Sequence, residues 1–396
     1  MEHLDLRPIN RRHWLLGSAA ALAWPHAPAG ATAHVPAGAT PPAPARDIAR
    51  PGDALRPREL QFPRDHGTHN DTRTEWWYLT GHARDEGGRD FGFQITFFRS
   101  RVDEARDLPG RLAARQLLFA HAAITDVAGR RLHHDERIAR WNGERPLNAD
   151  RGVFASDTDT EVVLRDWFIR RRADGGYATR AVGDTLLIDV EASAPQAWLL
   201  QGDRGFSRKG PEAAQSSFYV SQPQLQVRGT LGLAGQRFAI TGTAWLDHEW
   251  SEALLHPEAV GWDWIGMNLF DGHALTAFRL RRADGSTVWT GGSFRAASDA
   301  QDPNAIHRFR PGEVEFTPRR WWTSPLTNTR YPVEWLVRTP ADFYTVRALI
   351  DSQELDSRAS TGAIYWEGLS DLIDSNGRVV GRGYLEMTGY AKRLVL

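Results

Sequence analysis

FGFQITF, residues 91–97, and EWWYLTG, residues 75–81, are the stretches that decide the fold. Side chains alternate between the two faces of a β-strand. In the stretch over 91–97, Phe91, Phe93, Ile95 and Phe97 therefore share one face, and glycine, glutamine and threonine occupy the other. This pattern predicts a strand with one face directed into a core.

The stretch over residues 75–81 has bulky side chains on both faces. Trp76 and Tyr78 share one face, and Trp77 and Leu79 share the other. A strand with two bulky faces either lies between two packed layers or lines a cavity. We expect one of these two environments for this segment.

Segments of similar character recur along the chain, with turn signals such as Gly87-Gly88 and Asn376-Gly377 between them. Many short strands and no internal period of 20–50 residues favour two all-β sandwiches or barrels. The least strand-like region, Gln201 to Gln224, places the domain boundary near residue 230, which gives domains over 58–230 and 231–396. The predicted strands, which include the two stretches above, are Glu75 to His82, Asp90 to Arg99, Thr185 to Ala192, Leu225 to Leu231, Arg237 to Trp245, Trp262 to Leu269, Ala274 to Arg281 and Arg382 to Tyr390.

The N-terminal segment has the order of features expected of an export signal. Arg11-Arg12 precedes a short apolar stretch, and Ala31-Thr32-Ala33 offers a small-residue cleavage site. The arginine pair favours the twin-arginine route. We therefore predict an export signal over 1–33, an Ala/Pro-rich linker over 34–57, and a periplasmic or secreted mature protein without a membrane span.

Composition excludes several function classes. The 48 basic and 49 acidic residues give a formal charge of -1, so nothing points to nucleic acid as a partner. The chain contains no cysteine, which excludes disulfides, thiolate metal sites and a cysteine nucleophile. Phosphate loops and dinucleotide fingerprints are absent from the sequence, and no cofactor is predicted. The absence of a Gly-X-Ser-X-Gly elbow disfavours a serine hydrolase of the α/β type.

Tryptophan is unusually frequent, with 16 Trp against 8 Tyr. Indoles pack well in cores, but they also form the walls of cavities for hydrophobic molecules. Both interpretations stay open for the aromatic residues within the motifs. The candidate ligand-binding residues are Trp76, Trp77, Tyr78, Trp245, Trp250, Trp262, Trp264, Tyr365, Trp366 and Tyr384.

Asp263 is a candidate proton donor because it lies between Trp262 and Trp264. Desolvation beside indoles raises the pKa of a carboxyl group, and an acid that stays neutral near pH 7 can protonate an alkene. The indole faces would then stabilise the resulting cation. Glu386, which shares a strand face with Tyr384, is a second candidate of this kind.

Asp247-His248-Glu249 is the other candidate catalytic group. Asp247 and Glu249 share one face, so like-charge repulsion would separate their pKa values into an acid and a base. A structural hydrogen-bond and salt-bridge cluster also explains the same residues, and we favour it over catalysis there. His66 and His69 are of metal-ligand type, but they lie in a turn-rich segment, and we predict no metal site.

The aromatic motifs resemble those of the carotenoid 1,2-hydratase/AttH-like family, whose members are often described as secreted hydrolases. The resemblance extends from about residue 60 to the C-terminus. It implies two lipocalin-like β domains with a ligand cavity near their junction. The matching motifs include 75–81, 91–94, 245–250, 261–264, 365–368 and 383–390.

Two functions follow from the residues and the resemblance. One is an exported protein that binds a polyene, terpenoid or acyl molecule in an aromatic cavity, with an envelope export system as a further candidate partner. The other is a cofactor-free acid–base enzyme that acts on such a molecule, either a carotenoid-hydratase-like lyase or related isomerase or cyclase, or a secreted hydrolase. The position of the carboxylates relative to the cavity distinguishes the two.

Overall fold

The computed structural model describes residues 55–253 and 255–394. The predicted export signal and residues 34–54 of the predicted linker lie outside the described residues. Within the described part of the chain, no helix has the length and apolar character needed to cross a bilayer. The predicted all-β fold is confirmed, because nearly all regular structure lies in two antiparallel sheets.

The described residues form 23 strands and four short 3-10 helices, the latter at Arg64–His66, Asp103–Ala105, Ala149–Arg151 and Ala297–Asp299. The strands are β1 Thr74–Asp85, β2 Asp90–Arg101, β3 Gln116–Asp126, β4 Arg131–Trp141, β5 Val153–Ala155, β6 Glu161–Leu164, β7 Trp167–Arg171, β8 Tyr177–Val182, β9 Leu186–Ser193, β10 Leu199–Leu200, β11 Phe206–Arg208, β12 Ser216–Leu233, β13 Gln236–Ser251, β14 Gly261–Leu269, β15 Ala274–Arg281, β16 Thr287–Arg295, β17 His307–Phe309, β18 Glu315–Thr323, β19 Arg330–Arg338, β20 Phe343–Ala348, β21 Glu354–Ser357, β22 Ala363–Ile373 and β23 Val379–Met387.

The first sheet has the order β4-β3-β2-β1-β13-β12-β9-β8-β7-β6-β5 and curls into a nearly closed barrel, with β10 and β11 also paired to β12. Its interior is filled by apolar side chains, among them Trp77, Phe93 and Ile188. The second sheet has the order β17-β16-β15-β14-β23-β22-β20-β19-β18, with β21 paired to β22. It encloses its own core around Met267, Trp335 and Trp366.

Strand β1 is buried on both faces, and each face has a different neighbour. Trp77 and Leu79 point into the core of the first sheet. Tyr78 belongs to a third apolar cluster, which it forms with side chains of the second sheet such as Trp264 and Tyr384. The strand therefore lies between two packed layers, as one of the two expectations required. Trp76 and Tyr78, on its second face, also line a cavity between the sheets, as the other required.

Buried hydrogen bonds connect the two sheets where β12 is irregular. The pairing of β12 with β13 shifts register between Gln222 and Leu225, and Gln224 adopts a positive φ of 57°. Its backbone N–H donates to Oδ1 of Asn268 at 2.9 Å, and its side-chain amide donates to the carbonyl of Leu269 at 2.9 Å. The amide of Asn268 in turn donates to the carbonyl of Ala244 at 3.0 Å.

The segment Gln201 to Gln224 was expected to be the least strand-like region near the middle of the chain, and this interpretation was wrong for its second half. It contains β11 and the first half of β12. The chain leaves the first sheet at Ser251 and enters the second at Gly261. The division at residues 230 and 231 stays a prediction.

Gly92 allows the two sheets to approach closely. A Cβ atom at this position would lie 2.7 Å from the hydroxyl of Tyr384 and 3.0 Å from Cβ of Leu369, both in the second sheet. We expect Gly92→Ala to lower the free energy of unfolding by about 1–3 kcal/mol, because overpacking forces neighbouring side chains to shift. Urea unfolding monitored by tryptophan fluorescence measures this change.

Gly87→Ala is the matched control, since its Cβ would meet only the side chain of Asp85, at 3.3 Å, in an exposed turn. Equal stability of the Gly92 and Gly87 variants would contradict the close approach of the sheets.

Candidate functional site

A cavity of about 330 Å³ lies between the two sheets. On the first sheet, Trp76 pairs with Phe98 on β2 and with Glu249 on β13, so these side chains form a row across the sheet. On the second sheet, Trp264 on β14 pairs with Glu386 on β23. Strand pairing thus places aromatic and acidic side chains side by side on both walls.

One end of the cavity is apolar. Phe98 and Phe119 stack with their ring centroids 5.0 Å apart, and Leu117 and Ile138 continue this wall. Ile138 is 43% exposed, so the cavity opens to the surface beside it. Apolar walls of this kind favour a hydrophobic ligand.

Two acids face each other on the second sheet. Glu367 on β22 pairs directly with Glu386 on β23. Burial raises the pKa of Glu367 to about 8. Burial also raises the pKa of Glu386 well above its usual range, and the adjacent Glu367 raises it further. Because two carboxylates at this separation repel each other, the pair retains a proton near neutral pH.

Several polar atoms beside this pair lack a hydrogen-bond partner among the described residues. They are Oε2 of Glu367, the hydroxyl of Tyr78 and both amide atoms of Gln94. Buried polar groups are almost always hydrogen-bonded, so unpaired ones indicate a place where a ligand or water is bound. Tyr78 and Gln94 also lie close enough to Glu367 to lower its pKa, so these polar atoms are grouped around the acid pair.

A second pair of acids, Asp247 and Glu249, lies on β13, and both carboxylates interact with neighbouring side chains of the protein. Asp247 accepts hydrogen bonds from the hydroxyls of Tyr219 and Ser221, both at 2.6 Å, and from Nε1 of Trp245 at 2.7 Å. Burial nevertheless raises the pKa of Asp247 to about 7. Glu249 forms an ion pair with Nζ of Lys209 at 3.0 Å.

Glu75 forms the centre of a buried network on β1. Its carboxylate accepts hydrogen bonds from Nε of Arg99 at 2.9 Å and from the hydroxyl of Thr68 at 2.7 Å. His69 Nδ1 and His248 Nε2 also lie 2.8 and 2.9 Å from it. Burial alone would raise the pKa of Glu75, but the two histidines and Arg99 hold it well below its usual range.

The ligand atoms of His69, Glu75 and His248 lie within 4.8 Å of one another, a spacing that suits a metal ion. However, the guanidinium of Arg99 already supplies the positive charge next to this carboxylate. Paired charges of this kind are found in structural networks. We therefore interpret the group as a hydrogen-bond network that joins β1, β2 and β13.

Eight of the candidate residues from the sequence line the cavity. Three are acids and five are aromatic: Asp247, Glu249, Glu386, Trp76, Tyr78, Trp262, Trp264 and Tyr365. The shared face of Asp247 and Glu249 follows from strand alternation, as does the opposite direction of His248.

The other seven candidates do not line the cavity. Asp263 lies on the opposite face of β14, where its carboxylate accepts hydrogen bonds from Nε of Arg279 at 2.7 Å and from the hydroxyl of Tyr390 at 2.9 Å. Alternation explains its position, because its two flanking indoles point to the cavity. The remaining six pack in the apolar clusters or in the Glu75 network: Trp77, Trp245, Trp250, Trp366, Tyr384 and His248.

Glu367 is the main residue that the sequence reasoning missed. It lies two positions after Tyr365 and therefore shares its strand face, which was a usable signal. Lys209, Tyr219, His121 and the Phe98–Phe119 wall were also missed. These residues come from strands far apart in sequence, and only the order of the strands brings them together.

The raised pKa of Glu367 makes stability depend on pH in a defined direction. The folded protein holds this proton up to about pH 8, whereas the unfolded chain releases it near pH 4.5. The stabilising contribution is therefore complete below about pH 4.5 and is lost as the pH rises to about 8. Glu367→Gln carries no titrating group, so its stability relative to the wild type should increase across this range.

Urea unfolding at pH 5, 6.5 and 8 measures this difference, and Glu86→Gln, in an exposed turn, is the control. A constant difference between wild type and Glu367→Gln at all three pH values would exclude a proton held by Glu367.

Comparison with known proteins supports the family resemblance that the sequence motifs indicated. The sequence profile of the AttH-like family matches residues 53–390. A crystal structure from Nitrosomonas europaea, described as a putative AttH, is 43% identical, with a TM-score of 0.77, and the match covers 85% of this chain and 99% of that one. No curated protein matched the chain.

Kievitone hydratase from Nectria haematococca is also similar in fold. It is 13% identical with a TM-score of 0.63, and the match covers 87% of this chain and 99% of the hydratase. The expected pair of lipocalin-like β domains is confirmed. By its profile match and its 43% identity over most of its length, the chain belongs to the AttH-like family.

Proposed function

We propose that this protein binds a hydrophobic small molecule between its two sheets and acts on it as a cofactor-free acid–base enzyme, with Glu367 as the proton donor. The observation that carries the proposal is the buried pair of Glu367 and Glu386, which lines the cavity and leaves Oε2 of Glu367 unpaired among the described residues. The predicted export signal makes the periplasm or the exterior the proposed place of action.

A general acid must hold a proton at the working pH and release it to the substrate. An ordinary glutamate is ionised at pH 7, so it cannot do this. Burial raises the pKa of Glu367 to about 8, which matches the requirement. Glu386 shares the proton and takes the complementary role of base when Glu367 has donated.

The walls suit the charge that such a step creates. Protonation of a carbon–carbon double bond produces a carbocation, and indole faces stabilise cations. Trp76, Trp262 and Trp264 line the same cavity as the acid pair. Loss of a proton, addition of water or ring closure would then complete an isomerisation, a hydration or a cyclisation.

Binding is supported independently by the apolar end of the cavity. Burial of roughly 300 Å² of apolar ligand surface contributes about 7 kcal/mol before the ordering costs of association. A carrier that holds its ligand unchanged is the second candidate function.

The protein partners of Asp247 and Glu249 favour a carrier, because these two carboxylates have their hydrogen bonds and ion pairs without a substrate.

Retinol tests the binding step, because it is a polyene that accepts excitation energy from tryptophan. We expect energy transfer from the wild-type protein, and at least tenfold weaker binding by Phe119→Asp, since the new carboxylate must be desolvated in the apolar wall. Titration of retinol fluorescence gives both dissociation constants.

Phe343→Asp, at an exposed position outside the cavity, should bind retinol as the wild type does. A wild-type protein that transfers no energy to retinol, or equal weakening by both variants, would contradict the proposed ligand site.

Heavy water tests the chemical step without advance knowledge of the product. Retinol and a panel of prenylated phenols and linear terpenes are incubated with the protein in D2O, and mass spectrometry measures carbon-bound deuterium and added water. We expect turnover of a panel member by the wild type, and a loss of about 100-fold or more in Glu367→Gln, because general acid catalysis contributes this much.

Asp263→Asn is the matched comparison, because it removes a carboxylate that lies outside the cavity. It should lower the melting temperature while turnover per folded molecule is retained. Unchanged turnover in Glu367→Gln would remove this residue from the mechanism and leave the carrier function.

A further inference from the structure

A continuous chain of hydrogen-bonded side chains runs from the cavity towards the protein surface. The hydroxyl of Tyr365 lies 2.5 Å from Nδ1 of His121. Nε2 of the same imidazole lies 2.8 Å from Oγ of Ser360. The hydroxyl of Ser360 donates to Oε2 of Glu136, which completes the chain.

The two ends of this chain have different surroundings. Tyr365 lines the cavity and is buried. Glu136 lies on β4 directly opposite His121 on β3, and its side chain is 18% exposed to solvent. Ser360 lies in the loop between β21 and β22, so the second sheet supplies the link between the two residues of the first.

His121 has the protonation state that proton transfer requires. Burial lowers its pKa to about 3, and His134 lowers it further, so the imidazole is neutral near pH 7. A neutral imidazole has one nitrogen that donates and one that accepts, and these roles exchange when a proton passes through the ring. Ser360 and Tyr365 each carry a hydroxyl that both donates and accepts.

The cavity end of the chain is adjacent to the acid pair. Tyr365 and Glu367 are two positions apart on β22, so their side chains project from the same face. Burial raises the pKa of Tyr365 well above its usual range, and the charge of Glu367 raises it further, which places the two groups within electrostatic reach.

The arrangement differs from that of a nucleophilic serine. In a Ser–His–acid triad, the acid orients the imidazole and the imidazole takes the proton of the serine. Here the acid, Glu136, accepts from Ser360 instead, and Tyr365 occupies the second nitrogen of His121. The geometry fits a path for protons better than a site for acyl transfer.

We propose that Glu136, Ser360, His121 and Tyr365 form a proton relay that reloads Glu367 from solvent while a hydrophobic ligand fills the open, apolar end of the cavity. The relay rests on the proposed function, because it supplies the proton that Glu367 donates. The proposal gives these four residues, none of which belongs to the Glu367–Glu386 pair, a role in positioning and transferring the proton.

The transfers between Glu136, Ser360, His121 and Tyr365 follow existing contacts, and the last transfer, to Glu367, needs a bridging water. Glu136 takes a proton from solvent and gives it to Oγ of Ser360, whose hydroxyl turns and passes its own proton to Nε2 of His121. Nδ1 of His121 gives its proton to the oxygen of Tyr365, whose proton passes through a cavity water to the carboxylate of Glu367. Glu136 ends as a carboxylate and Glu367 as a carboxylic acid, and the three intermediate groups stay neutral.

Infrared spectroscopy of the retinol-saturated protein tests the relay without a known substrate. The band of the protonated carboxyl that is lost in Glu367→Gln identifies the acid, and its shift after rapid mixing with D2O gives the rate of proton exchange. We expect this exchange to slow at least tenfold in His121→Phe and in Ser360→Ala. Retinol contributes no carboxyl band.

Two variants separate a relay from a merely structural role. Ser360→Thr keeps the hydroxyl and should restore the wild-type exchange rate, and Ser375→Ala, at an exposed serine away from the cavity, should leave it unchanged. The melting temperature of each variant is measured in parallel.

The possible outcomes separate the two proposals. Absence of retinol binding, or of a band lost in Glu367→Gln, overturns the proposed function and the relay with it. A band that exchanges in folded His121→Phe as fast as in the wild type overturns the relay alone. Slow exchange in Ser360→Ala that Ser360→Thr fails to restore also overturns it.

Discussion

The register of β1 is the constraint on which the rest of the molecule depends. Its odd-numbered side chains, Trp77 and Leu79, fill the core of the first sheet, and its even-numbered ones, Trp76 and Tyr78, face the second. A slip of one residue would exchange these two sets and disrupt the core and the cavity together. Pairing with β2 on one edge and β13 on the other opposes any such slip along 11 and 12 residue pairs, respectively.

Burial then divides the acids of the protein into two groups. Glu75, Glu249 and Asp263 each have a cationic partner, respectively Arg99, Lys209 and Arg279. A buried carboxylate with such a partner forms an ion pair of the kind found in structural networks. Among the described residues, Glu367 and Glu386 have no cationic partner, so desolvation and repulsion keep a proton on the pair. Asp247 also lacks a cationic partner, and burial raises its pKa to about 7, but three neutral donors satisfy its carboxylate. This difference in partners, rather than the number of acids, distinguishes the candidate catalytic group.

Strand alternation predicted much of the fold and part of the site. It placed Trp262 and Trp264 on one face and Asp263 on the other, and it separated Asp247 and Glu249 from His248. It did not reveal which of two faces borders the cavity, so Asp263 was chosen because of its neighbours in sequence.

Glu367 was missed because its role in the acid pair depends on Glu386, which lies beside it on the neighbouring strand. Of the strand over 216–233, the part from Leu225 to Leu231 was predicted, and the first half was missed because the strand has an irregular, polar centre around Gln224, where it contacts the other sheet.

The bonds that Gln224 and Asn268 form across the sheets also limit how a ligand enters. A hinge opening of the two sheets would leave these buried amides and carbonyls without hydrogen-bond partners. The free-energy cost would be about 1–3 kcal/mol for each group. The opening beside Ile138, which is 43% exposed, offers a route that leaves these bonds intact. The proposed ligand would therefore pass beside Ile138 while the hydrogen bonds between the sheets hold the walls around the acids in place.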